Sequence, residues 1–238
     1  MTPARRSTRS RPAKAPLSEE AVVAAGLRVL RQEGLTAVTM RRVAAELDTG
    51  PASLYVYVAN RDELLHQMLD AVVATVRLEP ADPARWREEL AATVTRVVHA
   101  LTEYPGLGRV SLGHIPTGPA WLELFDHVLG LLLAGGLSRQ NAAWACDLIA
   151  MHIGAVAFET GVGAGPAETG GSGAAQDELQ AALDRRHENA TIEDRLTGLD
   201  PARYPYLAGC AAELSAGSAD ARLAFGIRVL INGFSAAP

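Results

Sequence analysis

Residues 39–64 read TMRRVAAELDTGPASLYVYVANRDEL, and the fold of this chain can be worked out from them. Thr39 is a favourable N-cap residue, because its hydroxyl can accept an unpaired backbone N–H of a helical first turn. A short helix is predicted after Thr39 by an apolar stripe at helical spacing, made of Met40, Val43, Ala44 and Leu47. Asp48, Thr49 and Gly50 interrupt this apolar pattern, so a turn is expected there.

A second short helix is expected directly after this turn. Gly50-Pro51 predicts its start, since proline at the first helical position loses no hydrogen bond. Leu54 and Val58 should point inward, which leaves on the open face Ala52, Ser53, Tyr55 and Tyr57. Residues 60–63 form an N-x-x-E box that begins another helix. This order predicts a helix-turn-helix, and a three-helix corner without a nucleic-acid role is the alternative.

The distribution of charge favours DNA binding over that alternative. The chain has 238 residues, of which 22 are basic and 27 acidic, for a formal net charge of −5. Residues 1–61 hold ten basic and five acidic side chains, a net of +5, so residues 62–238 hold 12 and 22, a net of −10. A basic N-terminal part attracts the phosphates of DNA, and the acidic remainder is repelled by them.

The first sixteen residues, MTPARRSTRSRPAKAP, cannot form a core. They contain five basic residues, three prolines and no acidic residue, which is typical of a disordered arm. Such an arm could follow the phosphates or enter the minor groove, and an inert solvated tail is the alternative. No apolar run of about seven residues follows the charges, so a secretory signal peptide is not expected.

Residues 18–76 resemble the DNA-binding domain of the TetR family of bacterial transcriptional repressors. The resemblance lies in TMRRVAAEL at 39–47, PASLY at 51–55 and NRDELL at 60–65. Family members usually carry glycine at the position of Asp48, because the turn needs a left-handed residue there. Aspartate tolerates that conformation better than most side chains. A DNA-binding domain is therefore expected over residues 17–78.

The helix-turn-helix interpretation assigns the expected DNA contacts. Arg41, Ser53 and Tyr57 should approach bases or phosphates. The residues expected to position the DNA backbone are Thr39, Arg42, Tyr55 and Arg61. The predicted DNA-binding set is completed by Thr49, Gly50, Pro51 and Ala52. The N-terminus of the helix that starts at Pro51 should add its positive dipole end.

A second helical domain is expected over residues 84–238, because 48% of the chain is hydrophobic and helical spacing continues after a proline-containing boundary at 78–85. The predicted fold class is therefore all-α throughout. Residues 161–175, GVGAGPAETGGSGAA, should form a flexible loop, since they lack the spacing of a phosphate-binding loop. No uninterrupted apolar segment comes close to the length of about 18 residues that a membrane-spanning helix needs.

Roughly residues 86–234 are similar to the ligand-binding and dimerisation domain of the tetracycline-repressor branch of the TetR family. The segments that carry the similarity are VSLGHIPT at 110–117, GGLS at 135–138, FE at 158–159 and AFGIRVLING at 224–233. The similarity implies that helices at 139–158 and 219–234 pack against those of a second copy as a four-helix bundle. Their apolar surfaces agree with this arrangement, although an intramolecular core would look the same.

The similarity also implies a ligand pocket. A histidine of the tetracycline repressor holds drug-chelated magnesium, but Ser111 occupies its position here and His114 lies three residues later, so a magnesium–tetracycline effector is not expected. The predicted pocket residues are Val97, Ser111, His114, Ile115, Pro116, His127 and His152. The histidines, including His99, could donate hydrogen bonds to a ligand or be ordinary helix-surface residues. We expect an apolar effector with few polar atoms, and no metal or cofactor.

The sequence therefore predicts a cytoplasmic, nucleoid-associated regulator with no membrane partner. A homodimer would bind double-stranded operator DNA of palindromic sequence, and a small-molecule effector would release it by changing the spacing of the two DNA-binding domains. An effector-independent DNA-binding protein is one alternative. A helical enzyme or small-molecule carrier with a DNA-binding domain is the other, but the chain has no GxSxG, HExxH or P-loop motif, so an enzyme is not expected.

Overall fold

The computed structural model describes residues 16–113, 116–162, 196 and 198–236. Its regular elements in these residues are all helical, which confirms the predicted all-α class. The helices of the N-terminal half are α1 Glu19–Glu33, α2 Met40–Glu46, α3 Pro51–Leu54 and α4 Arg61–Val73, with a 3-10 turn at Leu35–Ala37. Those that follow are α5 Trp86–Thr102, α6 Leu107–Gly113, α7 Pro119–Ala134, α8 Arg139–Val162, α9 Pro205–Gly209, α10 Ala211–Ser215 and α11 Ala219–Ala236.

Local signals set the ends of the first helix. The Ser18 hydroxyl accepts a hydrogen bond from the Ala21 backbone N–H at 3.2 Å and caps the N-terminus of α1. Gly34 ends the helix with a φ of 84°, a left-handed conformation that favours glycine, and its N–H donates to the Leu30 carbonyl. The chain can then turn at once towards α2.

The N-terminal core forms where α1, α2 and α4 pack together. Its fully buried side chains include Val22, Val29, Leu30, Val43, Leu54, Leu64 and Met68. Gly26 of α1 faces the thioether of Met68, and a Cβ at this glycine would lie 2.7 Å from the sulfur. The small residue therefore allows α1 and α4 to approach closely.

The box at the start of α4 differs in one contact from the expected one. Asn60 caps the helix, since its side-chain oxygen accepts from the Glu63 N–H at 2.8 Å. The Glu63 carboxylate accepts from the N–H of Ala59, one residue ahead of the N-cap, where the capping box would use the N-cap itself. The two residues still satisfy backbone donors on both sides of the helix start.

Helix α8 is the central helix of the second half and packs against α5, α6, α7 and α11. Gly108 of α6 lies directly on its backbone, where a Cβ would overlap the main chain at Ala157 and Phe158. Glycine is thus required at this crossing by close approach. The surrounding core includes Trp86, Leu90, Val94, Leu101, Leu124, Leu131, Ile149 and Ile153.

The length of α8 corrects one boundary of the sequence analysis. The helix continues to Val162 and so contains the first two residues of the loop expected at 161–175. The remainder of that loop and the basic arm up to residue 15 lie outside the described residues. By length and composition alone, residues 139–160 could cross a membrane, with a mean hydropathy of 1.3. Asp147 and His152 interrupt their apolar sequence.

Candidate DNA-binding surface and ligand cavity

The turn between α2 and α3 has the conformation expected from its sequence. Asp48 has a φ of 50°, which confirms that a left-handed residue is needed at this position. The Thr49 N–H donates to the Ala44 carbonyl at 2.9 Å, so the backbone reverses immediately after α2. Gly50 has an ordinary extended φ of −80° and precedes Pro51, the first residue of α3. The turn thereby fixes the direction in which α3 leaves α2.

Helix α3 presents a largely exposed outer face. Leu54 and Val58 are buried and anchor it to the core, as predicted. Pro51, Ala52 and Tyr55 are exposed, and Ser53 is half-buried. These residues form the outer surface at a four-residue helix whose N-terminus has no side-chain cap.

Val56 belongs to this surface, and the sequence analysis missed it. Its side chain is 80% exposed beside Tyr55, which is 55% exposed. The periodicity that turns Leu54 and Val58 inward turns Val56 outward, so the signal was present in the sequence. An exposed valine next to an exposed tyrosine is suited to apolar contact with a thymine methyl group.

Tyr57 does not lie on the open face, which corrects its predicted role. Its hydroxyl donates a 2.6 Å hydrogen bond to the Leu17 carbonyl, and its ring packs against the core. The tyrosine fastens the segment before α1 to the end of α3. Because its polar atom is used inside the domain, the Tyr57 hydroxyl is not available for a base contact.

Arg61 is also committed within the protein. Its Nε donates to the Val38 carbonyl at 2.6 Å and its Nη2 donates to the Leu35 carbonyl at 2.9 Å. Both acceptors belong to the turn ahead of α2, and the guanidinium is partly buried there. The predicted role in positioning the DNA backbone is therefore replaced by a structural one.

The two arginines of α2 have different surroundings. Arg42 is paired with Glu33 and with Glu46, and these hydrogen bonds raise the pKa of its guanidinium. The Thr39 hydroxyl accepts from the Arg42 backbone N–H at 3.1 Å, which confirms the predicted N-cap. Arg41, the residue before it in α2, is exposed and is the better placed of the two arginines for a phosphate.

A cavity of about 560 Å³ lies between α6, α7 and α8. Ser111 and Pro116 line it, as the predicted pocket requires, and the Ser111 hydroxyl donates to the Gly108 carbonyl at 2.7 Å. The wall residues that the prediction did not include are Leu112, Gly113, Trp121, Phe125, Leu129, Ala143, Cys146, Asp147, Ala150 and Met151. Trp121 and Phe125 meet edge to face with ring centroids 5.7 Å apart. The wall is thus mainly apolar and partly aromatic.

Three predicted pocket residues are elsewhere in the fold. Val97 is fully buried in the core, because its face of α5 points into the helix bundle. His127 lies on the side of α7 that faces α5, with Nε2 3.3 Å from the Thr93 hydroxyl oxygen, and burial lowers its pKa. His152 faces α11, where a Cβ at Gly226 would lie 2.7 Å from its ring. His114 and Ile115 lie outside the described residues.

The other candidate groups have ordinary environments. His99 is exposed, with Nε2 3.0 Å from a carboxylate oxygen of Asp220 at the start of α11. Burial raises the pKa of the Cys146 thiol to about 11, so this cavity residue is a neutral thiol at physiological pH. Within the ranges that the structure describes, no group of three or more His, Cys, Asp and Glu residues could hold a metal ion.

Helices α8 and α11 share an exposed apolar face. We define the α8–α11 face by Trp144, Leu148, Phe225 and Val229, which are 63%, 45%, 61% and 51% exposed. The first two lie one helical turn apart on α8, and the last two lie one turn apart on α11. Large exposed apolar side chains on two helices that pack together mark an interaction surface.

The family of the chain follows from comparison with known proteins. Residues 79–237 match the tetracyclin repressor-like C-terminal domain, and residues 22–68 match the bacterial regulatory proteins of the tetR family. The chain belongs to the TetR family. This confirms the resemblance noted in both halves of the sequence. Members of the TetR family are transcriptional regulators rather than enzymes.

Curated TetR-family relatives match the chain over part of its length. The HTH-type transcriptional repressor DrrR1 of Streptomyces coeruleorubidus is 34% identical over 151 residues, which cover 61% of this chain and 56% of that protein. The tetracycline repressor class C of Escherichia coli is 29% identical over 143 residues, 59% of this chain and 65% of that protein. The chain therefore spans less than two thirds of these relatives' length.

Solved TetR-family structures match nearly the whole chain. Apo ActR from Streptomyces coelicolor superposes with a TM-score of 0.79 at 30% sequence identity, covering 94% of this chain and 97% of ActR. ActR in complex with actinorhodin gives a TM-score of 0.77 at 30% identity, with 92% and 96% covered. The fold is thus shared from the helix-turn-helix to the last helix.

Proposed function

We propose that this chain is a transcriptional repressor that binds a palindromic operator as a homodimer and is released by a small, largely apolar effector. The observation that carries the proposal is the presence, in one TetR-family chain, of an exposed recognition helix and a separate apolar cavity of about 560 Å³. Residues 17–78 would bind DNA, and residues 84–238 would bind the effector and the second copy.

The DNA-binding part of the proposal rests on the outer surface of α2 and α3. Ala52, Tyr55 and Val56 offer apolar contact to thymine methyl groups in the major groove. Arg41 supplies a positive charge to the phosphates, and the N-terminus of α3, which has no side-chain cap, adds the positive end of its dipole. The remaining members of the surface are Thr39, Thr49, Gly50 and Ser53.

The effector part rests on the chemistry of the cavity wall. Trp121, Phe125, Leu129 and Met151 offer flat apolar surfaces, and Asp147 with the Ser111 hydroxyl offers polar atoms. An effector with a planar apolar body and one or two hydrogen-bonding groups fits such a wall. ActR, a relative of this chain, has been solved with actinorhodin and with (S)-DNPA, so these two compounds are the first probes.

The dimer part rests on the α8–α11 face. A second copy that places the same face against it would bury four large apolar side chains on each side and form a four-helix bundle. The dimer would present two α3 helices to successive major grooves, which is why a palindromic operator is expected. The protein would act in the cytoplasm at the nucleoid, without a cofactor or a membrane partner.

Selection of bound DNA from a random library tests the proposal. We expect the full-length protein to enrich an inverted repeat, and an addition of actinorhodin, (S)-DNPA or a metabolite collection to reveal compounds that lower its affinity for that DNA. The Asp147→Ala variant should need more of an active compound for half release, whereas Asp126→Ala on the exposed side of α7 should not. No enriched repeat would contradict the proposal, and operator binding insensitive to every compound would favour an effector-independent protein.

A further inference from the structure

Asp70, near the end of α4, makes an unusual contact with the second half of the chain. Its Oδ1 accepts a hydrogen bond from the Trp121 backbone N–H at 3.0 Å, and its Oδ2 accepts from the Ala120 N–H at 3.3 Å. These are the second and third residues of α7, fifty residues further along the chain. A side chain of α4 therefore caps the N-terminus of α7, as an N-cap residue ordinarily would.

The start of α7 has no cap of its own. Gly118 occupies the N-cap position and has no side chain, and Pro119 at the first helical position has no N–H. The first backbone donors of α7 are thus Ala120 and Trp121, and both donate to Asp70. The carboxylate also complements the positive end of the helix dipole, so the contact is favourable on two counts.

Gly118 is required by this contact and by nothing in its own backbone. Its φ of −64° and ψ of 153° suit any residue. A Cβ at this position, however, would overlap the Asp70 carboxylate. The sequence thus provides both the acid on α4 and the space that lets it reach α7.

The contact between Asp70 and α7 lies between the cavity and the helix-turn-helix. Trp121 is only 1% exposed and forms the wall of the 560 Å³ cavity together with Phe125 and Leu129 of the same helix. At the other end of α4, nine residues or about 13 Å away, Arg61 holds the carbonyls of the turn that precedes α2. Helix α4 is therefore anchored by polar side chains to the cavity wall on one side and to the helix-turn-helix on the other.

We propose that Asp70 is the positioning residue that transmits occupancy of the cavity to the DNA-binding domain. The inference rests on the proposed function, because it assigns to that effector response the residue through which it acts. A ligand in the cavity that displaces the start of α7 also displaces the Asp70 carboxylate bound to it. Helix α4 then moves as a rigid element. Without the contact, α7 can move while α4 stays in place.

A double-mutant cycle that needs no identified effector tests this inference. Ala150→Phe adds a ring at the cavity wall of α8, and the probe is the inverted-repeat DNA selected by the wild-type protein. We expect Ala150→Phe to weaken DNA binding at least tenfold alone and less than threefold in the Asp70→Ala background. Coupling of this kind is not expected of a residue that only stabilises the fold, because a uniform loss of stability would cancel in the cycle.

Two further variants distinguish loss of the Asp70 contact from misfolding of the Asp70→Ala protein. Asp70→Asn keeps the shape of the side chain and one acceptor, and it should reduce the coupling partially. Gly118→Ala leaves the carboxylate intact but pushes it from α7, and it should abolish the coupling as Asp70→Ala does. Asp62→Ala, on the exposed first turn of α4, is the matched control and should keep the full tenfold effect.

The outcomes separate this inference from the function on which it rests. An equal effect of Ala150→Phe in the wild-type, Asp70→Ala and Gly118→Ala backgrounds would overturn the role of Asp70 and leave an effector response in place. No effect of Ala150→Phe on DNA binding in any background would overturn the transmission from the cavity wall, and with it the role of Asp70, while DNA binding itself stands. A reduction of the effect by at least threefold in the two variant backgrounds, but not with Asp62→Ala, supports the inference.

Discussion

The Nε of Arg61 donates a 2.6 Å hydrogen bond to the carbonyl oxygen of Val38, so the first residue of α4 holds the last residue of the turn before α2. A second bond from the same guanidinium to Leu35 closes a fork around this turn. The position of the helix-turn-helix relative to α4 is thereby set by two partly buried hydrogen bonds of one side chain, close to the surface that we propose to bind DNA.

Replacement of Arg61 by alanine should therefore affect stability more than electrostatics. Loss of two hydrogen bonds to a charged donor should lower the free energy of unfolding by roughly 2 kcal/mol, measured by urea denaturation. The dependence of DNA affinity on salt concentration should keep its slope, because no phosphate contact is removed. A slope reduced by about one would reinstate a phosphate contact for this residue.

Arg41 and Arg42 are neighbours that should behave differently on DNA. Arg41→Ala should reduce the slope of log affinity against log salt concentration by about one, since it removes a phosphate contact. Arg42→Ala should change the slope less, because Glu33 and Glu46 already neutralise this guanidinium. Fluorescence anisotropy at several salt concentrations measures both, and equal slopes for the two variants would refute the assignment.

The turn at Asp48 makes a prediction about backbone conformation. A β-branched residue with a φ of 50° is strained, so Asp48→Val should lower the free energy of unfolding by about 1–2 kcal/mol. Asp48→Gly should keep the stability of the wild type, because glycine adopts this conformation without a steric cost. Thermal unfolding of the two variants is the measurement, and equal losses would show that the side chain of Asp48 matters more than its φ.

The α8–α11 face predicts the oligomeric state. Phe225→Asp should convert the proposed dimer into a monomer, because it places a charge at the centre of an apolar interface. Leu122→Asp changes a leucine on α7 that is 53% exposed but outside this face, and it should leave the dimer intact. Sedimentation velocity distinguishes the two states, and a wild-type protein that sediments as a monomer would refute the assembly.

Burial of His152 predicts a dependence of stability on pH. Desolvation lowers its pKa in the fold, so the unfolded chain binds a proton at this residue more readily than the folded one. The free energy of unfolding should thus fall as the pH drops below about 6.5, the ordinary pKa of histidine, until it reaches the lower folded-state pKa. His152→Leu should flatten this decline in urea denaturation at pH 7.5 and 5.5, and identical declines would exclude the effect.

Local features of the fold could be predicted from the sequence because their partners are close in the chain. The caps at Ser18, Thr39 and Asn60 bond to backbone groups three residues away. The left-handed turn at Asp48 and the inward direction of Leu54 also depend only on neighbouring positions. Such interactions involve few competing conformations, so residue type and spacing were enough.

The corrections concern side chains whose partners are distant in sequence. Tyr57 bonds to a carbonyl 40 residues earlier and Arg61 to one 23 residues earlier. Periodicity indicates which side of a helix is polar, but it does not indicate whether that side meets solvent or another segment. Val97, His127 and His152 were assigned to the cavity for the same reason, because helix faces alone do not show which neighbour they pack against.

The sequence by itself determined the helices of the N-terminal domain and the residues that cap them, the helix-turn-helix order and the separation of a basic N-terminal part from an acidic body, since these depend on contacts within about one helical turn and on composition. Only the tertiary structure decided that Ser111, Trp121 and Cys146 line one cavity and that Asp70 caps α7. Those relationships require segments that are distant in sequence to meet in space, and the order in which helices pack is set by the whole core rather than by any stretch of the chain.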